Sequence, residues 1–125
     1  GAHGDINLIT LLMGANAEGL QAQTLDGEWV DVTPAPNEIV INIGDMLARL
    51  TNNQLRSTIH RVVNPKNLED LKKPRFSTPF FLHPRSDMDL TCLESCISAD
   101  RPKAYEDMTA GEYLNERLLE LKLKK

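Results

Sequence analysis

Cysteine is nearly absent from this chain: of 125 residues only Cys92 and Cys96 carry thiols, both within "TCLESC". Two cysteines make no disulfide framework, and a lone C-x-x-x-C lacks the second ligand pair of a zinc site. They read as free thiols in a reducing cytoplasm. No run approaches the roughly 18 apolar residues of a membrane-spanning helix, and no signal-peptide pattern opens the chain. No basic block is long enough for a nucleic-acid or membrane footprint, since the closing "LKLKK" is a few exposed lysines. Internal repeats and low-complexity segments are missing too, so no domain boundary is expected between residues 1 and 125. The chain does not begin with methionine, and the expectation is that more sequence precedes Gly1.

What is present is the make-up of one globular domain: 41% hydrophobic and 26% charged residues, with 18 acidic against 14 basic side chains for a net charge of −4. "INLITLL" reads as a buried strand ended by the turn "MGANAEG". "GLQAQT" and "DGEWVDV" flank Asp26-Gly27, the signature of a two-residue hairpin turn with positive φ. "EIVINIGD" reads as another buried strand, and "MLARLTNN" leads to a polar turn at Asn52-Asn53. "LRSTIHRVV" and "RFSTPFFL" are two further strands on either side of a lysine-rich loop from Asn64 to Pro74. Strand after strand at short spacing indicates an all-β sandwich or barrel. The tail changes period: Thr109 and Glu112 form a capping-box pattern, and Leu114, Leu118 and Leu121 recur at helical spacing. A C-terminal helix packed outside the sheets is expected.

Polar residues interrupt this apolar pattern at three places. His3 and Asp5 stand two apart beside the first strand, so an extended backbone points both to one side. They are either the polar start of a strand or two arms of a metal site. His60 lies within the β-branched "STIHRVV", where a buried imidazole needs a partner, either in the core or on a metal. Arg75 and Ser77 also share one face of their strand. An inward Arg75 requires an anion, and its guanidinium fork matches a carboxylate with the Ser77 hydroxyl adding a further bond; an outward one merely faces water. His83 in "FLHPRSD" reads as a loop histidine. Two histidines and a carboxylate with open positions make the facial triad of non-haem Fe(II) oxygenases.

The order H-x-D, "GLQ", "DGEWVDV", "NIGD", "LTNN", "STIHRVV" and "RFSTPFFLHP" resembles the isopenicillin N synthase-like family of Fe(II)/2-oxoglutarate dioxygenases. The resemblance runs from Ala2 to the C-terminal helix. It implies a mainly β fold, a double-stranded β-helix (jelly roll) with a C-terminal helix. His3, Asp5 and His60 match the family's iron ligands, and Arg75 and Ser77 match the R-x-S pair that holds the distal carboxylate of 2-oxoglutarate. The implied activity is oxidation of a small organic substrate with O2, with Fe(II) as cofactor, 2-oxoglutarate as co-substrate, and succinate and CO2 released. No catalytic side chain beyond the metal ligands is implied, and neither nucleic acid nor membrane is an expected partner.

Family members are usually much longer. Residues 1–125 therefore read as the C-terminal portion of the catalytic domain, without the N-terminal part that supplies the first strands and much of the substrate pocket. A further co-substrate contact, often a tyrosine or asparagine just before H-x-D, falls outside this sequence. Two other readings accompany the resemblance. One is a relative that oxidises its substrate without 2-oxoglutarate; the other is an inactive jelly-roll binding fragment.

Overall fold

The computed structural model describes residues 1–13, 19–65, 69, 72, 74 and 76–123. Six strands are described: β1 (Ile9–Met13), β2 (Leu20–Gln23), β3 (Trp29–Asp31), β4 (Ile39–Ile43), β5 (His60–Val62) and β6 (Thr78–Leu82). They form two antiparallel three-stranded sheets, ordered β4-β1-β6 and β3-β2-β5, so the chain crosses repeatedly from one sheet to the other. In the first sheet Thr10 stands opposite Asn42 on one side and Phe81 on the other. In the second, Ala22 stands opposite Val30 and His60.

The two-residue period then divides the side chains of β4-β1-β6. Val40, Asn42, Thr10, Leu12, Pro79 and Phe81 turn inward, onto a cavity of about 380 Å3 that the second sheet closes with Leu20, Ala22, His60 and Val62. The alternate positions form rows such as Ile41–Leu11–Phe80 and Ile43–Ile9–Leu82 on the outer face. This outer face is open. Ile39 and Ile41 are 54% and 63% exposed, and Phe80 and Leu82 of β6 are 59% and 41% exposed. "EIVINIGD" is thus a strand, as the apolar run indicated, but not a buried one. Periodicity identifies the pleat; burial depends on what covers the far side.

Local chemistry fixes several boundaries. The hairpin between β2 and β3 is not the expected two-residue turn. Thr24 N–H donates to Glu28 O at 2.8 Å and Gly27 N–H to Thr24 O at 3.0 Å, so three residues close the loop. Only Gly27 takes positive φ, at +84°, as a type I turn ending in a bulge requires. "DMLARL" is a short helix, α1 (Asp45–Leu50), rather than a connection. It ends where Asn52 and Asn53 adopt left-handed φ of 47° and 62°, which asparagine tolerates better than most residues. The C-terminal helix, α2 (Ala110–Glu120), begins with the expected capping box: Thr109 N–H donates to Glu112 Oε2 at 2.7 Å, and Glu112 N–H returns to Thr109 Oγ1 at 3.3 Å.

The tightest packing lies beside the sheets. Met46 of α1, Leu90 and Ala110 are almost fully buried and gather Ile6, Leu8, Met88, Tyr113 and Leu114 around them. Tyr113 and Leu114 of α2 pack on this cluster, and the Tyr113 hydroxyl reaches Asp45 at the start of α1. A solid floor therefore underlies the loop of residues 3–7, while the space between the sheets stays open.

Candidate metal centre

His3, Asp5 and His60 come from two segments joined by main-chain hydrogen bonds. His3 N–H donates to His60 O at 3.0 Å and His60 N–H to His3 O at 2.9 Å, an isolated antiparallel bridge. This pairing sets the two imidazoles side by side, with ring centroids 4.5 Å apart and planes inclined by 53°. Asp5 follows two residues after His3, with its carbonyl oxygen held by Asp45 N–H at 2.7 Å. One nitrogen or oxygen from each of the three side chains falls within 4.8 Å of the others. Among the described residues this is the cluster of metal-ligand type. Burial is graded: His3 is 60% exposed, His60 20% and Asp5 7%.

The remaining heteroatoms are already engaged. His3 Nδ1 lies 3.0 Å from Gly1 O and His60 Nδ1 lies 3.1 Å from Thr58 O. A carbonyl only accepts, so each Nδ1 donates, and each neutral ring is left with its lone pair on Nε2. Asp5 Oδ2 accepts from Thr10 Oγ1 at 2.5 Å and from Asn42 Nδ2 at 2.9 Å. Asp5 Oδ1 accepts no hydrogen bond among the described residues, and both Nε2 atoms stand 3.8 Å from it. At 3.8 Å neither imidazole hydrogen-bonds the carboxylate, so the three groups do not satisfy one another. Two nitrogen lone pairs and one anionic oxygen converge on the mouth of the cavity. This donor set, with its outer partners fixed, fits a divalent transition metal held on one face.

Ser77 lines the same cavity. Arg75 lies outside the described residues, as does much of the lysine-rich loop before it. His83 is exposed and takes no part in the cluster. Cys92 and Cys96 are buried, unpaired thiols; Cys92 Sγ donates to Arg49 O at 3.2 Å, away from the site. Sequence reasoning missed the residues around Asp5. Thr10 lies within "INLITLL" and Asn42 within "EIVINIGD", and neither stands out from the apolar run around it. The period carried a signal, because Thr10 and Asn42 fall on the same inward face as Leu12 and Val40, where a polar side chain needs a partner.

Residues 1–84 match the 2OG-Fe(II) oxygenase superfamily. The chain belongs to that family. It is 38% identical over 119 residues to a 2-oxoglutarate-Fe(II) type oxidoreductase, hxnY, of Emericella nidulans, an alignment covering 90% of this chain and 33% of that protein. Among solved structures it is similar to a 2OG-Fe(II) oxygenase family protein from Caulobacter crescentus, with 55% identity and a TM-score of 0.91 over 97% of this chain and 40% of that one. It also resembles a full-length Neurospora crassa protein solved in complex with alpha-KG, with 38% identity and a TM-score of 0.86 over 95% of this chain and 37% of that one. The two sheets are accordingly those of the family's jelly roll. The chain spans about a third of the length of the curated relatives it matches. Among the described residues no helix is long and apolar enough to cross a membrane.

Proposed function

We propose that this chain carries the metal and co-substrate site of a non-haem Fe(II)/2-oxoglutarate dioxygenase acting on a small organic molecule in the cytoplasm. The observation that supports it best is the division of labour among six heteroatoms. Three are tied back to the protein, and three are left facing one point. His3, Asp5 and His60 would hold the metal. Arg75 and Ser77 would grip the distal carboxylate of 2-oxoglutarate, a role in keeping with the place of Ser77 in the cavity wall. Bound Fe(II) supplies the redox chemistry that couples O2 and 2-oxoglutarate to substrate oxidation. The protein's own part is to hold and to orient. Leu12, Leu20, Val40, Val62 and Phe81 line the cavity beside the metal ligands with hydrocarbon, a wall suited to the apolar part of an organic substrate. Two buried, unpaired thiols accord with a reducing compartment.

Anaerobic titration of the purified protein with Fe(II) tests the reading. One equivalent should be retained, and His60→Ala should abolish retention. With 2-oxoglutarate, O2 and an accepted substrate, succinate should form in step with oxidised product. Failure to take up metal, or oxidation without succinate, would sink the proposal.

A further inference from the structure

Asp5 has two carboxylate oxygens, and the structure treats them differently. Thr10 has a single hydroxyl proton. Because the carboxylate only accepts, that proton points at Asp5 Oδ2, across 2.5 Å. Its direction is fixed from behind: Asn7 Nδ2, which only donates, lies 3.0 Å from Thr10 Oγ1 and 3.1 Å from Ile9 O. Asn42 Nδ2 adds a second donor to Asp5 Oδ2 at 2.9 Å. Asn7 is 1% exposed, and its Oδ1 has no hydrogen-bond partner. An amide kept in the interior with an orphaned carbonyl is costly unless its donor end is needed.

We propose that Thr10 and Asn42 are positioning residues that hold Asp5 as a one-oxygen ligand, with Asn7 orienting the Thr10 hydroxyl. The inference rests on the reading of His3, Asp5 and His60 as the metal ligands. Turning the carboxylate so that Oδ2 joined Oδ1 on the metal would break two charge-assisted bonds in a buried setting. The consequence is a count of open positions. On a six-coordinate ion, three one-atom ligands would leave three sites, enough for a chelating keto acid and one further small ligand. A carboxylate bound through both oxygens would take one of them. Denticity at Asp5 would thus govern co-substrate binding more than metal binding.

The test uses Co(II) in place of Fe(II), so that nothing turns over. Cobalt affinity is read by competition with a chelator, 2-oxoglutarate affinity by calorimetry, and coordination by visible absorption. Thr10→Val should keep cobalt affinity within about threefold, weaken 2-oxoglutarate roughly tenfold or more, and alter the cobalt spectrum. Thr10→Ser, which keeps the hydroxyl, should behave like the parent. Asn42→Leu should move in the same direction as Thr10→Val and serves if that variant fails to fold. His60→Ala is run in parallel. Cobalt uptake that survives it overturns the ligand reading and this inference together. Cobalt lost there, with Thr10→Val and Asn42→Leu binding 2-oxoglutarate like the parent, overturns this inference alone. So does cobalt loss in Thr10→Val without any added loss of 2-oxoglutarate.

Discussion

The Tyr113 hydroxyl donates to Asp45 Oδ2 across 3.0 Å, while the main-chain N–H of Asp45 holds the carbonyl of Asp5. The C-terminal helix therefore reaches the loop bearing Asp5 through one intermediate residue. Tyr113→Phe should lower stability by about 1–2 kcal/mol in urea denaturation, the usual cost of stranding a partly buried carboxylate. Burial, then the neighbouring Asp45 charge, pushes the Tyr113 hydroxyl above the ordinary tyrosine range. A raised folded value favours the protonated form in the fold. That contribution is complete below about pH 10 and falls away as pH rises toward the folded value. The phenylalanine variant should lose this alkaline slope, and a slope that persisted would assign it elsewhere.

At the other end of the pH scale the capping box is the reporter. Hydrogen bonds from the Thr109 main-chain N–H and hydroxyl hold the Glu112 carboxyl below the usual glutamate range. A depressed folded value stabilises above the unfolded value, about pH 4.3, and the contribution drains away as pH falls through the folded one. Glu112→Gln keeps the cap geometry without the charge. Its helix content, followed by circular dichroism, should match the parent at pH 7 and change less on acidification.

Gly44 offers a prediction about packing. A Cβ there would run into both the carbonyl oxygen and the side-chain Oδ1 of Asn7, closer than atoms can approach. Gly44→Ala must displace either β4 or the loop carrying Asn7. We expect destabilisation of about 1–3 kcal/mol or more, measured by thermal unfolding. Metal affinity should fall with it, because that loop also carries Asp5.

For the proposed co-substrate site, Arg75→Lys keeps the charge but removes the planar fork. The 2-oxoglutarate requirement should rise by roughly one to two orders of magnitude, with Fe(II) affinity nearly unchanged. Ser77→Ala should act in the same direction with smaller size. A lysine variant with unaltered 2-oxoglutarate dependence, or one that released iron instead, would remove Arg75 and Ser77 from the co-substrate site.

What could be read from the sequence was whatever depends on period and short-range chemistry. The apolar runs located β1 and β4, and the Thr109–Glu112 spacing placed the start of α2. The polar intrusions singled out His3, Asp5 and His60, which the fold brings together. Three features were not legible, each for a physical reason. Helix α1 is six residues long, too short to show a period against the strand before it. The exposure of Ile41 and Phe80 depends on what lies over a sheet face, which no local pattern encodes. The clamp on Asp5 Oδ2 joins residues as far apart as Asp5 and Asn42, and only the register of β4 on β1 makes them neighbours.

The reciprocal bridge between His3 and His60 carries one more consequence. In an unfolded chain these residues are ends of a long loop, and bringing them together costs conformational entropy. A cation gripped by both would act as a clasp, binding the folded chain and not the open one, so ion affinity and resistance to unfolding would rise together. The amide hydrogens of His3 and His60 stand at the clasp itself. Their exchange with deuterium would then slow with each increment of metal, giving a gauge of site closure that needs no substrate and no turnover.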